Sequence, residues 1–396
     1  MIGAALTDAL IAFDDFGQPT EVVSEGDIPY FINAFWTARQ RASHSLHEIS
    51  YRACFKAQLP GFFIDRLTRP GDRVLDPFMG RGTTPVQAAL MGRLALGNDI
   101  NPLSTLLVRP RLTPPLTADL TARLAEVSWD QPGDAPAELC AFYHPQTLAR
   151  LGALRRWLLA RAPLDNPCPD PVDDWIRMVA INRLTGHSPG FFSGRSMPPN
   201  QAVSVRAQLK INERLGLTPP PRDISAIILK KSRTLLTDGR PDTPGAPCLF
   251  TGEADRLPLI PDGVVALTVT SPPFLDIVQY AQDNWLRCWF AGIDVSQVKI
   301  AMHRTEAAWS DMVRRVLAEQ ARVLRPGGHV AFEVGEVRGG KVLLERLVWA
   351  AAEGLPFDRL GVMINAQDFT KTANCWGVAN GVAGTNTNRI VLLRRR

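Results

Sequence analysis

The chain has few cysteines, and none are spaced to hold a metal. Cys54, Cys140, Cys168, Cys248, Cys288 and Cys375 are scattered, with no C-x-x-C pair. Neither a disulfide framework nor a zinc site is indicated, and a reducing cytoplasm suits such thiols. His44 and His47 stand three apart with no third ligand in view, so no metal is expected. The chain also lacks any apolar run near the roughly 20 residues that span a bilayer. Its start, MIGAALTDALIAFDDF, has no early Lys or Arg and is broken by acids, unlike a secretory signal. No internal repeat is evident.

What is present is ordinary for a globular protein: 396 residues, 45% hydrophobic and 21% charged. That length suits about two to three domains, or one large domain with an insertion. A net charge of +5 fits a polyanionic partner without requiring one.

The most informative stretch is VLDPFMGRGTTPVQAALMGRLALGNDINP, from Val74 to Pro102. It reads as strand, Gly-rich turn, helix and second strand closing on Asp99. A turn at Gly80 and Gly82 lets backbone N–H groups approach a ligand, and an acid at the next strand end accepts hydrogen bonds from ribose hydroxyls. The third glycine of a dinucleotide turn is missing, and no Lys-Ser or Lys-Thr follows as in a P-loop. Cofactors such as S-adenosylmethionine remain.

Before this stretch, the sequence to about Ile28 reads as an amphipathic helix and a polar link. Pro29 to Phe63 mixes aromatic and basic residues, a pattern of helices packing on a sheet or of a nucleic-acid platform. After it, Pro110, Pro114 and Pro115 mark a boundary, and Leu116 to Leu236 is mainly helical. One helix carries Leu120, Leu124 and Val127 behind an N-cap at Thr117; others carry Leu148 to Leu158 and Trp175 to Val179. A Gly/Pro/Ser-rich loop from Leu184 leads into a basic segment, where a recognition surface would be built. Beyond Pro241 to Pro247 the α/β pattern resumes. A buried strand, Val264 to Val269, runs into Thr270-Ser271-Pro272-Pro273-Phe274. A helix through Trp309 and Val316, a Pro-Gly-Gly turn and further strands follow, including Leu360 to Ile364 and Arg389 to Leu393, around a Gly/Asn/Thr-rich loop at Thr370 to Asn388.

Two prolines end the strand, since neither donates to a ladder. Ser271 Oγ, the free carbonyls of the Ser-Pro-Pro run and the ring of Phe274 suit a planar base bearing an exocyclic amine. An aryl amine is a poor nucleophile, and two acceptors on its hydrogens favour the pyramidal form that attacks an electrophilic methyl group.

With DPFMGRGTT at Asp76 to Thr84, GNDINP at Gly97 to Pro102 and TSPPF in place, the chain resembles the S-adenosylmethionine-dependent amino-methyltransferases of DNA, which modify cytosine N4 or adenine N6. RVLRPGGHVAFEVG and NRIVLLRR resemble the family's later strands. The resemblance implies an α/β, Rossmann-like doubly wound, mostly parallel sheet with an inserted, mainly helical target-recognition region. It divides the chain at 1–110, 111–247 and 248–396. It assigns Asp76, Phe78, Gly80, Gly82 and Thr83 to the methionine and adenosine moieties, Asp99 to the ribose, and Glu253 or Asp255 to the adenine amine. Phe55, Lys56 and Gln58 would contact the methionine end, and Ser271, Pro272, Pro273 and Phe274 would bind and activate the target amine. Double-stranded DNA is the implied partner, with contacts from Arg195, Arg206, Lys210, Lys230 and Lys231; a cognate restriction endonuclease is a further one, and the oligomeric state is open. Ser at position 271 favours cytosine N4 over adenine N6. An RNA amino-methyltransferase and an inactive nucleic-acid-binding homologue are the alternatives. The insertion enters after the second strand, not just before the catalytic strand as is usual, so the family's mode of DNA contact is not carried over.

Overall fold

The structure, a computed structural model, describes residues 2–36, 43–51, 54–131, 133–166, 168–196, 201–242, 245, 247–275, 280–298, 303–337, 341–366 and 387–396. In chain order, α1 (Ile2–Ile11) precedes a hairpin of β1 (Glu21–Glu25) and β2 (Ile28–Asn33). Then come α2 (Gln58–Leu67), β3 (Arg73–Asp76), α3 (Thr83–Leu90), β4 (Leu94–Asp99) and α4 (Pro102–Leu112). Five helices follow: α5 (Thr117–Ala125), α6 (Pro145–Arg161), α7 (Pro171–Ile181), α8 (Val205–Leu215) and α9 (Ile224–Leu235). The chain then returns through β5 (Cys248–Thr251), β6 (Val265–Thr270), α10 (Tyr280–Ala291), α11 (Glu306–Val323) and β7 (Leu324–Val334). It ends with a small pair, β8 (Glu336–Val337) and β9 (Val342–Leu343), then α12 (Leu344–Ala351), β10 (Phe357–Ala366) and β11 (Thr387–Arg395).

Nine strands form one sheet in the order β1-β2-β10-β11-β7-β6-β3-β4-β5. From β3 the chain winds outward through β4 to β5, then re-enters beside β3 as β6 and winds the other way. The point between β3 and β6 is thus a topological switch point, where the carboxyl ends of parallel strands leave a crevice. The central strands are continuous apolar runs because both faces are covered. Their alternate residues divide between two cores: Val74, Ala331 and Leu392 face one, Leu75, Val330 and Leu393 the other.

The inserted helices share the first core with α2, α3 and α4. They are also fastened by charge. Asp173 and Asp174 open α7 behind the Asp170 cap, both buried; Asp174 receives Arg109 of α4 at 2.6 and 3.0 Å, and Asp173 receives Arg123 of α5 at 2.5 Å and Arg161 of α6 at 3.0 Å.

Several local expectations change. The hairpin β1–β2 replaces the polar link, and β2 pairs in parallel with β10, a contact across more than 300 residues that no local pattern reveals. Pro110 does not end α4; it sits inside the helix near its end, where Leu112 is the last residue. Thr117 is the first residue of α5, not its cap, and Val127 lies past the helix. The Pro-Gly-Gly turn is absorbed as an irregularity within β7, between the pairs Val265↔Leu324 and Leu267↔His329. The loop expected at Thr370 to Asn388 lies almost wholly outside the described residues. Among those described, no helix is long and apolar enough to cross a membrane.

The glycine turn is set by a close approach. Gly82 has φ 77°, and a Cβ there would lie 2.3 Å from Val108 Cγ2 in α4, whereas at Gly71, φ 84°, a Cβ would meet nothing within 4 Å. Gly82→Ala therefore combines backbone strain with overpacking and is expected to cost about 2–5 kcal/mol. Gly71→Ala is expected to cost only the strain, about 1–2 kcal/mol. Urea unfolding of the two variants checks this difference, and equal losses would contradict the packing argument.

Candidate active site

The crevice at the switch point holds a cavity of 460 Å³. Its wall is built from the ends of β3, β4 and β6, with contributions from Tyr51, Cys54 and Phe55, the turn after β5 and the middle of α11. Asp76, Phe78, Gly80, Thr83, Asp99, Glu253, Asp255, Phe55, Ser271 and Pro273 all line it, so residues nearly two hundred positions apart in sequence meet.

Asp76 is 1% exposed. Thr270 Oγ1 donates to its Oδ1 at 2.6 Å and the Phe78 N–H at 3.1 Å. Burial raises its pKa to about 7 against those hydrogen bonds, with the Asp99 charge adding to the rise. Asp99 accepts from the backbone N–H groups of Gly80, at 2.8 Å, and Asn101, at 2.9 Å, which holds the glycine turn against the end of β4. Burial pushes its carboxyl up as well. Asn98 completes the brace, donating to the Pro77 and Gly252 carbonyls, while Thr84 Oγ1 donates to the Val269 carbonyl. The strands that carry the site are thus joined at their ends by side chains as well as by the ladder.

Three arginines, without carboxylate partners among the described residues, hold the carbonyls of Leu46, Ile49, Ser50 and Phe55. Arg81, inside the glycine turn, donates to the Ile49 and Phe55 carbonyls at 2.8 and 3.3 Å. Arg111 donates to the Leu46 carbonyl at 3.1 Å and to the Arg81 carbonyl. Arg287 of α10 donates to the Ser50 carbonyl at 2.9 Å and lies over the Tyr51 ring. Burial lowers Arg111 to about 9 and Arg287 to about 10.

On the catalytic side, the Ser271 side chain hydrogen-bonds the Glu333 carboxyl of β7, which also accepts from Asn388 Nδ2 at 3.0 Å. Burial raises the Glu333 pKa, and the two hydrogen bonds oppose that rise. The Pro273 carbonyl is not free as expected, because Trp309 Nε1 donates to it at 2.9 Å. No donor among the described residues reaches the Pro272 carbonyl, but Pro272 is buried. Neither Pro272 nor Phe274 lines the cavity; Phe274 is half-buried against the second core.

Other expected site residues fall elsewhere. Gln58 lies at a separate groove beside α2, and the exposed Lys56 is outside the cavity lining. A helix start forces both away from the wall that Phe55 joins. Gly82 shapes the turn without lining the cavity. Asp255 is ion-paired with Arg315 at 2.8 Å, which leaves the exposed Glu253 as the freer acceptor. Arg206, Lys210 and Lys230 are exposed on α8 and α9, and Arg195 in the loop after α7, whereas Lys231 is tied to Glu48 at 3.2 Å and is not a free phosphate contact. His44 bonds the Asp238 carbonyl and His47 the Gln87 side chain, and their surroundings gather no metal-ligating group among the described residues. Sequence reasoning missed Arg81, Glu333, His303 and Arg315, all but Glu333 lining the cavity. Arg81 alone had a local signal, its place between the two glycines.

Residues 23–104 match the family model described as DNA methylase. The type II methyltransferase M.MjaII of Methanocaldococcus jannaschii is 39% identical over 74 residues, a match covering 19% of this chain and 14% of that protein's length. Solved structures similar to this one include TrmN from Thermus thermophilus, 12% identical over 87% of this chain and 50% of that one with a TM-score of 0.34. Another is a TehB-like SAM-dependent methyltransferase from Corynebacterium glutamicum, 8% identical over 87% and 90% with a TM-score of 0.29.

A pH dependence follows from Asp76. Its folded pKa of about 7 stands above the ordinary 3.8, so the folded state holds the proton more tightly. The stability this group contributes is full below about pH 4 and is lost as pH rises through 7. Asp76→Asn removes that component, and urea unfolding of the ligand-free protein is expected to show a smaller decline between pH 4 and pH 7 than in the wild type. Parallel pH profiles would contradict the assignment.

Proposed function

We propose that the protein is a DNA methyltransferase that uses S-adenosylmethionine to methylate the exocyclic amine of a base, with cytosine N4 as the favoured target. The observation that carries this reading is the meeting of the two motifs in one cavity: Asp76 and Asp99 from the first, Ser271 and Pro273 from the second. The donor set fits such a cofactor. Asp76, a buried carboxyl without an ion pair, would take the cationic amino end; Asp99, with backbone N–H groups already on its oxygens, would take ribose hydroxyls; Glu253 would take the adenine amine. The cofactor supplies an electrophilic methyl group.

The chain's own part is to prepare the nucleophile. A serine hydroxyl has one proton and two lone pairs. With its proton directed to the Glu333 carboxylate, Ser271 turns its lone pairs toward the cavity it lines and accepts from the target amine. The proton lost after methylation has a path through Ser271 to Glu333, whose raised pKa suits it to receive one. Serine at position 271 supports cytosine, and adenine N6 is the second reading, since both amines offer the same two hydrogens. Arg195, Arg206, Lys210 and Lys230 would face the DNA backbone. A restriction endonuclease partner is consistent with the similarity to a type II methyltransferase.

Methyl transfer from labelled cofactor to duplex DNA and to tRNA tests the reading, followed by mass spectrometry of the nucleosides. Label in DNA as N4-methylcytosine is expected; N6-methyladenine would reassign the base, and label in tRNA alone would overturn the DNA assignment. Ser271→Ala is expected to lower kcat about 100-fold, as loss of one aimed hydrogen-bonding group does. Unchanged turnover would remove Ser271 from the chemistry.

A further inference from the structure

A second cavity, of 350 Å³, lies within the inserted helices, away from the residues of the first. It is walled by the loop after α7, the end of α8 and the proline-rich segment that leads into α9, and His187, Ser188, Arg195, Thr218 and Arg222 are among its lining residues. No Asp or Glu lines it. The loop is a built structure and not a loose excursion. Gly186 and Arg195 close it as a bridge, Ser193 Oγ bonds the Gly186 backbone, and Phe191 and Phe192 are buried beneath it. The fit is tight enough that a Cβ at Gly186 would stand 2.3 Å from the Phe191 ring. On the opposite wall the Arg222 N–H is fixed to Thr147 Oγ1 at 2.9 Å, and the neighbouring Asp223 carboxylate is occupied in capping α9.

Arg195 and Arg222 thus both line this cavity from backbone that hydrogen bonds hold in place. Arg222 Nε is shielded from solvent and has no hydrogen-bond partner. Neither Arg195 nor Arg222 has an ion pair among the described residues. Paired guanidiniums beside serine and threonine hydroxyls match the oxygens of a phosphate.

We propose that this cavity is a phosphate subsite in which Arg195 and Arg222 together hold one backbone phosphate of the DNA, an inference that rests on the DNA methyltransferase reading. The subsite fixes the register of the strand on the inserted region and carries no sequence information itself.

The test is the salt dependence of binding of a 20-base-pair duplex, followed by fluorescence anisotropy, for the wild type and the Arg195→Gln/Arg222→Gln double variant. Calorimetric cofactor binding serves as the check on folding. Because both arginines share one phosphate, the double variant is expected to lower the slope of log affinity against log salt by about 0.9. A slope lowered by about 1.8 would mean two separate phosphate contacts and would overturn the shared site. An unchanged slope in a protein that still methylates DNA would overturn this inference alone. A wild type that neither binds nor methylates DNA would overturn both readings. Displacement by inorganic phosphate at constant ionic strength, with the slope unchanged, would mark a free-anion site instead.

Discussion

The hydrogen bond from Thr270 to Asp76 is the constraint on which the rest of the site depends. It joins the last residue of β6 to the last residue of β3, the two strands that flank the switch point. One follows directly into the glycine turn, the other into Ser271. The bond therefore ties the glycine turn to the segment that follows β6. Its acceptor is buried and has no ion pair among the described residues, so the ligand-free protein carries a carboxyl with a raised pKa where a cationic group would be welcome. Stability is given up at the place where binding would return it.

Around that bond the molecule uses long side chains to secure an irregular wall. Arg81, Arg111 and Arg287 come from the glycine turn, α4 and α10, yet all bond carbonyls between Leu46 and Phe55. The wall has no regular structure over most of this stretch, and its carbonyls would otherwise need water in a closed space. Guanidinium donors meet that need and link the wall to both halves of the site. On the far side, Glu333 and Asn388 do for Ser271 what Asp99 does for the glycine turn.

Much of this was legible in the sequence, and the limit has a physical form. The glycine turn, the acid closing β4, the strand ending in TSPPF and the insertion between β4 and β5 are properties of contiguous residues, and all were readable. Pairing across the sheet is not a contiguous property. The β2–β10 contact, Glu333 behind Ser271 and Trp309 on the Pro273 carbonyl each depend on which strand or helix lies alongside. The expectation that both proline carbonyls are free failed for that reason, as did the assignment of Lys231 to phosphate, since Glu48 reaches it from a distant segment. Gln58 was misplaced by a nearer cause: the helix begins there and turns it to the other side.

The central claim is that the crevice is divided, with Asp99 serving the cofactor and Ser271 serving the target. Calorimetric titration of S-adenosylmethionine into the wild type, Asp99→Ala and Ser271→Ala tests that division directly. The account predicts that Asp99→Ala weakens cofactor binding at least about 10-fold, the scale of one lost charged hydrogen-bonding group, while Ser271→Ala binds the cofactor as the wild type does. Equal weakening in both variants, or none in Asp99→Ala, would contradict it.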